Sequence, residues 1–435
     1  MASAAPRSRD VSAPHALSPL PSVRLPHPIA YTLLIIPFGA MSGYVSVAMA
    51  FLCTRFGLSV EDGALLVAAG MLPHIWKFLW APIVDTTLTR KRWYMLAVVL
   101  CTLGITAMSA IPLGKQNMRL LEATIFVANL ASTLVCMSIE GLMAHATPPA
   151  ERGRVGGWFQ AGNLGGSGLG GGAGLWMATH FSAPWMAGAM LGAIFLAGSL
   201  ALRWIPEAKA EARQVGLPRA MVDVVQELWG VIRSRGGVVC AALCVLPINT
   251  GTATNVLSQA EVAAKWGADE NTVALVNGAL NGVLSAAGCL VAGAICTRIN
   301  SRTVYIIVAL LMSLVATAMS LSPFTRTNYI AYSLVYVFVL GLSYTAFTGF
   351  VLDAIGKGAA ATKYNAFASL SNAPITYMGL VLAWAQTKWG EHGMLYTEAL
   401  AGVGGVMALS VLIAAVRPRG TPDVTFTEPL APGSN

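Results

Sequence analysis

The feature that most constrains this chain is a succession of apolar runs, each about 20 residues long and separated by short polar segments. A helix that crosses a bilayer needs about 20 mostly apolar residues, because each residue adds about 1.5 Å along its axis. The composition agrees, since only 11% of the residues are charged, whereas a soluble domain carries about 25%. Twelve membrane-spanning helices are predicted, near residues 28–51, 63–84, 93–113, 120–144, 156–181, 184–204, 237–259, 272–295, 304–321, 329–350, 364–387 and 395–416.

The first six spans and the last six repeat a charged pattern. Asp85 and then Arg90 follow the second span, and Thr297 and then Arg302 occupy the corresponding positions after the eighth. Glu140 closes the fourth span, as Asp353 closes the tenth. Such a parallel duplication resembles the organisation of major facilitator transporters. The predicted fold class is therefore an all-α integral membrane protein with the major facilitator fold, in which twelve transmembrane helices form two pseudo-symmetric six-helix bundles.

These patterns divide the chain into five parts. They are a disordered cytoplasmic tail, an N-terminal bundle, a cytoplasmic linker, a C-terminal bundle and a second cytoplasmic tail: 1–27, 28–205, 206–236, 237–416 and 417–435. The first tail lacks the apolar run of a secretory signal peptide. Within the linker, residues 218–233 have the pattern of an amphipathic helix. That helix is either a connector at the membrane surface or a regulatory partner site.

The distribution of positive charge predicts the orientation of the chain. Most of the 27 Lys and Arg residues fall in the segments that share a side with both termini. Because positive residues concentrate on the cytoplasmic side of membrane proteins, both termini are predicted to be cytoplasmic. This bias also accounts for the net charge of +8 without a nucleic-acid partner.

Three segments resemble AmpG-like permeases, the peptide/acetyl-CoA transporter branch of the major facilitator superfamily. They are the second-helix signature, the loop before the fifth span and the entry to the eleventh span: 77–85 (KFLWAPIVD), 151–154 (ERGR) and 361–370 (ATKYNAFASL). The resemblance covers roughly residues 28–416. It implies a bacterial inner-membrane importer of muropeptides or, in shorter members, of iron–siderophore complexes. The proton gradient would be its energy source, with no cofactor.

The chain departs from this family in two ways. Muropeptide permeases tend to be longer, with extra helices that this chain lacks, and Thr297 replaces the usual acid of the second loop repeat. We therefore expect a weaker gate in the C-terminal half. The implied partners are a small organic solute, protons and membrane lipid, with a monomeric chain and no ATPase subunit.

Two ionisable residues of the second span are the candidates for proton coupling. An ionisable group inside a membrane costs about 2.5–3.5 kcal/mol on insertion scales, so its presence there indicates a functional or structural role. His74 is predicted near the midplane, where its imidazole either carries the coupling proton or forms a neutral hydrogen bond between helices. Lys77, on the same helix face, binds either an anionic group of the solute or a carboxylate or backbone partner.

A charge cluster is predicted to form an intracellular gate. In the N-terminal half it comprises Asp85, Arg90, Arg92 and Glu140, with Glu140 preferred as a gate residue over a proton site. A mirror pair of Arg302 with Asp353 is expected in the C-terminal half. A further acid, Glu398, is expected at the outer interface of the twelfth span rather than in the cavity.

The fifth span is unusually rich in glycine between residues 156 and 174. The segment Gly166-x-Gly168-x-x-Gly171 formally matches a dinucleotide fingerprint, but no strand precedes it. Small residues instead favour close helix–helix approach inside a membrane. Because glycine also weakens helices, we expect this helix to bend or slide during transport.

Uncharged polar and aromatic residues are the candidates for contacts with the solute. They are Trp76, Gln160, Asn163, Asn249, Asn255, Asn277 and Asn281. The position of Trp76 is explained equally well by contact with lipid. A membrane-embedded enzyme is disfavoured because the six histidines are scattered, no metal-ligand set is evident, and the phosphate-binding loop of a primary pump is absent. A facilitator or exporter of another small organic molecule stays open, as does a channel.

Overall fold

A computed structural model describes residues 27–207, 217–257, 260–356 and 359–416. In this part of the chain the regular elements are all helices, as predicted. The predicted tails, apart from His27, and residues 208–216 of the predicted linker lie outside the described residues. The all-helical fold class is therefore confirmed.

Helices α1 to α6 form the N-terminal half. They are α1 (Ile29–Gly43, Tyr44–Met49 and Ala50–Arg55), α2 (Val60–Trp76, Lys77–Leu79 and Ala81–Thr86), α3 (Arg90–Ala110), α4 (Met118–Ala146), α5 (Arg152–Gly168, Leu169–Ala173 and Gly174–His180) and α6 (Trp185–Gly198 and Ser199–Trp204). Short 3₁₀ turns at Lys115–Asn117 and Pro149–Glu151 precede α4 and α5.

The linker helix and helices α7 to α12 follow. They are the linker helix (Leu217–Arg233), α7 (Arg235–Val245, Ala253–Leu257 and Ala260–Lys265), α8 (Glu270–Ala274, Leu275–Leu280 and Asn281–Ile295), α9 (Ser301–Leu321), α10 (Arg326–Ile355), and α11 and α12, the two parts of Ala360–Val416 on either side of Gly390. The backbone of Gly390 is non-helical with φ 69°, so the two parts meet at a bend.

Eight described segments are long and apolar enough, each by itself, to cross a membrane. The remaining predicted spans fall on elements that are broken, glycine-rich or joined. A 3₁₀ turn interrupts α2 at Lys77–Leu79, α7 is interrupted between Val245 and Ala253, and α11 and α12 are counted as one segment. The arrangement is consistent with twelve spans.

The glycines of α5 allow two other helices to approach its backbone closely. A Cβ at Gly162 or Gly170 would collide with the backbone of α1, and one at Gly157 would collide with the backbone of α8 at Gly293. The expected close approach is thus confirmed. Helix α5 lies against α1 within its own half and against α8 of the other half.

Long apolar side chains also cover the outside of the bundle. Leu103 of α3, Leu314 of α9 and Val411 of α12 are each more than 60% exposed. Exposed apolar side chains at this density indicate a surface that faces lipid rather than water. Of the seven unpaired cysteines, six are buried, which is the behaviour expected of small apolar residues.

Candidate functional site

A cavity of about 280 Å³ lies between the two halves. The N-terminal half lines it with residues of α1, α2, α4 and α5, and the C-terminal half with residues of α7, α9, α10 and α11. Among the predicted site residues, six line this cavity: His74, Lys77, Glu140, Gln160, Asn163 and Asn249. The five candidates other than Glu140 lie on α2, on α5 and in the interruption of α7, whereas Glu140 of α4 was predicted as a gate residue.

His74 and Lys77 reach the cavity from the broken part of α2. His74 is buried, and its Nε2 lies 3.3 Å from Oδ1 of Asn129 on α4. Because the Asn129 amide nitrogen donates to the carbonyl of Ile125, Oδ1 is the acceptor and Nε2–H of His74 is the donor. The interhelical hydrogen bond considered as the alternative for His74 is therefore present, and its role in proton transfer stays a prediction.

Lys77 is a buried cation in the cavity wall, with 7% of its surface exposed. Its Nζ lies 5.9 Å from the centre of the Phe38 ring. Among the described residues, no carboxylate lies within 4.0 Å of this nitrogen. The ring provides a weak cation–π contact, which does not replace a counter-ion.

Glu140 also lines the cavity, and among the described residues it forms no ion pair with the gate charges with which the sequence grouped it. Its Oε2 accepts a 2.6 Å hydrogen bond from Nδ2 of Asn365 on α11, and its Oε1 accepts one from the Cys136 thiol at 3.1 Å. The neighbouring Gly141 is the residue that faces Arg90. Because successive side chains on a helix point in different directions, Glu140 itself points towards α11.

The predicted gate residue Asp85 lies at the end of α2. It pairs with Arg90 at 3.3 Å and accepts hydrogen bonds of 2.8 Å from both the backbone N–H and the hydroxyl of Thr362. A carboxylate at a helix N-terminus is favourable because it accepts the free N–H groups there. Asp85 therefore joins the two halves by capping α11, whereas Arg92 is exposed to solvent.

Asp353 pairs with Arg152 at 3.0 Å rather than with Arg302, so the predicted mirror pair is not the one formed. Arg152 begins α5, which packs on the C-terminal half, and this position brings its guanidinium to the end of α10. The backbone N–H of Arg302 instead donates to Asn300. We call the end of the bundle that carries Asp85, Arg152 and Asp353 the gate end.

A chain of hydrogen bonds beside the cavity joins the two halves. The Asn163 amide donates to Oε1 of Gln160 at 3.0 Å, and Nε2 of Gln160 donates to the Thr348 hydroxyl at 2.8 Å. Thr348 in turn lies 3.1 Å from the Tyr364 hydroxyl.

A separate hydrogen bond holds Asn249 within the C-terminal half. Its amide donates to the backbone carbonyl of Tyr305 at 2.8 Å.

The other solute-contact candidates lie elsewhere. Trp76 is 54% exposed and lies outside the cavity lining. The Asn277 amide donates to the Tyr329 hydroxyl at 3.2 Å, and Asn281 accepts from Ser285 at 3.0 Å, so both serve packing around α8. The side chain of Asn255 lies outside the described residues.

The comparisons with known proteins agree with this architecture. A family model described as Major Facilitator Superfamily matches residues 30–376. This chain belongs to the Major Facilitator Superfamily. None of the curated proteins matches its sequence significantly.

Solved structures of other members of the superfamily share the fold. The proton:xylose symporter XylE, bound to 6-bromo-6-deoxy-D-glucose, has 16% identity and a TM-score of 0.64, over 89% of this chain and 96% of its own. The human organic anion transporter MFSD10 (TETRAN) has 14% identity and a TM-score of 0.63, over 88% and 98%. At these identities the likeness shows the fold alone, and the AmpG-like resemblance stays a prediction.

The sequence interpretation did not predict that α11 contributes to the cavity. Tyr364, Ala368 and Asn372 line the cavity, and Asn365 holds Glu140. A signal was available, because the segment 361–370 was already noted for its family resemblance and carries polar residues at one-turn spacing.

Glu398 is buried inside the C-terminal half and, as expected, is not among the residues that line the cavity; its place at the outer interface stays a prediction. Only 5% of its surface is exposed. It accepts hydrogen bonds from the Tyr336 hydroxyl at 2.6 Å, the Ala253 N–H at 2.8 Å and the Thr250 hydroxyl at 3.1 Å. The interruption of α7 exposes the backbone and hydroxyl donors that hold this carboxylate.

Proposed function

We propose that this member of the Major Facilitator Superfamily is a secondary active transporter that couples proton entry to the import of an organic solute. The observation that carries the proposal is a cavity between two six-helix halves, lined by His74, Lys77 and Glu140 together with amides from both halves. The AmpG-like segments indicate a muropeptide or an iron–siderophore complex as the solute. We assign the protein to a bacterial inner membrane, with the gate end and both termini in the cytoplasm.

Alternating access would proceed by separation of the halves at the gate end. Asp85 to Thr362, Arg152 to Asp353 and Glu140 to Asn365 are bonds between the halves that must break before the cavity opens there. Each break exposes a charged group that water then solvates, so the cost stays small enough for thermal motion and solute binding to meet it.

His74 is the proposed proton carrier. Imidazole is the side chain whose charge changes nearest to neutral pH, and His74 lies in the cavity within reach of the solute site. Protonation would add a second positive charge beside Lys77 and so favour a solute that carries negative charge. The proton gradient would then be the only energy source required.

Uptake in a deletion strain that expresses this chain tests the proposal. Labelled anhydromuropeptide and labelled ferric siderophore are each supplied with and without a protonophore. We expect saturable, protonophore-sensitive accumulation of one of them. His74→Gln should lower accumulation about tenfold or more and leave solute exchange largely intact, whereas His180→Gln, an exposed histidine outside the cavity, should behave as wild type.

Other outcomes would contradict the proposal at separate points. Uptake that the protonophore leaves unchanged would indicate a facilitator. Unchanged accumulation by His74→Gln would remove this residue from proton coupling. Transport of neither compound would refute the muropeptide and siderophore assignments and leave the superfamily membership standing.

A further inference from the structure

Lys77 is a buried cation to which the described residues offer no direct ion-pair partner. Only 7% of its surface is exposed, and among the described residues no carboxylate lies within 4.0 Å of Nζ. Burial of an uncompensated charge is expensive in a membrane protein. An arrangement of this kind persists where a ligand completes the charge pair.

Glu140 is the acidic residue that lines the same cavity as Lys77, but its carboxylate is bonded to other residues. It shares the cavity with Lys77, but its two oxygens accept from Cys136 and from Asn365 of the other half. Glu140 therefore forms no direct ion pair with Lys77, and its charge acts on the ammonium group only at longer range. His74 adds no negative charge, because an imidazole is either neutral or cationic, and its Nε2–H donates to Oδ1 of Asn129. The ammonium group remains available to the cavity.

The lining of the cavity that Lys77 enters is partly aromatic and partly polar. The Phe38 ring centre lies 5.9 Å from the ammonium group, and Phe159 and Phe347 also line the cavity. Asn163 and Asn372 line the cavity with amide groups. A sugar or aromatic ring suits such a site, because a ring offers an apolar face to aromatic side chains and a polar edge to amides.

We infer that the cavity binds a small organic anion, with its carboxylate or phosphate against Lys77 and its ring against the aromatic side chains that line the cavity. This inference rests on the proposed function, since it takes the cavity as the transport site. The volume of about 280 Å³ limits the bound group to about one or two rings in this conformation. A larger solute would place only its anionic ring here.

Matched pairs of anionic and neutral ligands test this inference on the purified full-length chain in nanodiscs. The pairs are N-acetylmuramate with N-acetylglucosamine, glucose 6-phosphate with glucose, and benzoate with benzamide. Thermal unfolding and calorimetry report binding. We expect at least one anion to bind about tenfold or more tightly than its neutral partner, because a hydrogen bond to a charged group is lost in the neutral one.

Variants assign that preference to Lys77. Lys77→Met should abolish the difference between the anion and its neutral partner, whereas Lys77→Arg, which keeps the charge, should retain it. Lys265→Met is the matched control, because Lys265 is exposed and pairs with Glu391 outside the cavity. The unfolding temperature of each unliganded variant shows whether it is folded.

The inference is overturned if every anion binds no better than its neutral partner, or if the anion preference survives in Lys77→Met. A carboxylate preference and a phosphate preference are separated by the first two pairs. Because binding is measured without a proton gradient, a failure of proton coupling leaves these results unchanged. An intact anion preference with gradient-independent uptake would refute only the coupling.

Discussion

Three buried ionisable residues in the membrane-spanning part of the chain are accommodated in different ways. Lys77 faces an open cavity, Glu140 bonds to the opposite half, and Glu398 is enclosed within the C-terminal half. Glu398 accepts three hydrogen bonds from its own half, which replace the water that the carboxylate loses. Its surroundings indicate a structural role, because the hydrogen bonds tie the interrupted α7 to α10 and α12.

Removal of the Tyr336 hydroxyl should therefore destabilise the protein. Tyr336→Phe leaves the buried Glu398 carboxylate without its 2.6 Å donor, and we expect the free energy of unfolding to fall by about 1–3 kcal/mol. Thermal unfolding in nanodiscs measures the change. Tyr396→Phe is the matched control because Tyr396 is 39% exposed. Equal unfolding temperatures for the two variants would show that Glu398 does not depend on this bond.

Single residues were predictable where regular helical spacing holds, and were missed where side-chain chemistry alone was considered or where the helix departs from regular geometry. His74 and Lys77, three residues apart, share the cavity as their spacing predicted. Trp76, adjacent to Lys77, was chosen for its ring and faces away from the cavity. Asn277 lies in the π-helical turn Leu275–Leu280, which shifts the direction of side chains from that of a regular helix.

Among the elements, α5 is the helix whose packing depends most on glycine. It contacts α1 on one side and α8 on the other, and a π-helical turn at Leu169–Ala173 interrupts it. At Gly157 the backbones of α5 and α8 meet beside Gly293, with no room for a side chain. This contact lies towards the gate end, so it forms when the halves close there.

A larger residue at Gly157 should hold the halves apart. We expect Gly157→Val to lower the free energy of unfolding of the closed form by about 1–3 kcal/mol through overpacking and to reduce transport. Gly404→Val in α12 is the matched control, because a Cβ there meets no atom within 4 Å. Thermal unfolding and uptake, measured side by side, report both effects. Wild-type behaviour of Gly157→Val would mean that this contact can widen without cost.

The elements were predictable as apolar runs, and their interruptions were not. The predicted spans 63–84 and 237–259 are broken at Lys77–Leu79 and between Val245 and Ala253. A hydropathy average does not detect such breaks. The prolines at positions 73, 82 and 247 did indicate them, because proline interrupts a helix. The breaks matter because Lys77 lies in one of them and Thr250, which bonds to Glu398, lies in the other.

At the scale of the whole molecule, the two halves are joined by several polar contacts, at the gate end and at the cavity. Asp85 caps α11, Arg152 pairs with Asp353, and Gln160 bonds to Thr348. The duplication of six spans predicted this fold, because apolar runs of fixed length leave few other arrangements. The partner of Asp353 was not predictable, since an ion pair depends on how the halves dock rather than on the repeat.

The central claim is that these halves separate and close around the cavity, and distances across the gate end test it most directly. Spin labels on Arg154→Cys and Arg298→Cys, exposed positions in opposite halves, allow double electron–electron resonance measurements. Cys296 is replaced by Ser because it is partly exposed and packs beside Gly153. Labelled protein in liposomes is measured at low and high pH, with and without the transported solute.

We predict two distance populations, one matching the closed gate end and one longer, whose ratio changes with pH and with solute. The shift would follow from the differential stability of the two forms when the cavity charges change. A single short distance that neither pH nor solute alters would contradict alternating access by this chain.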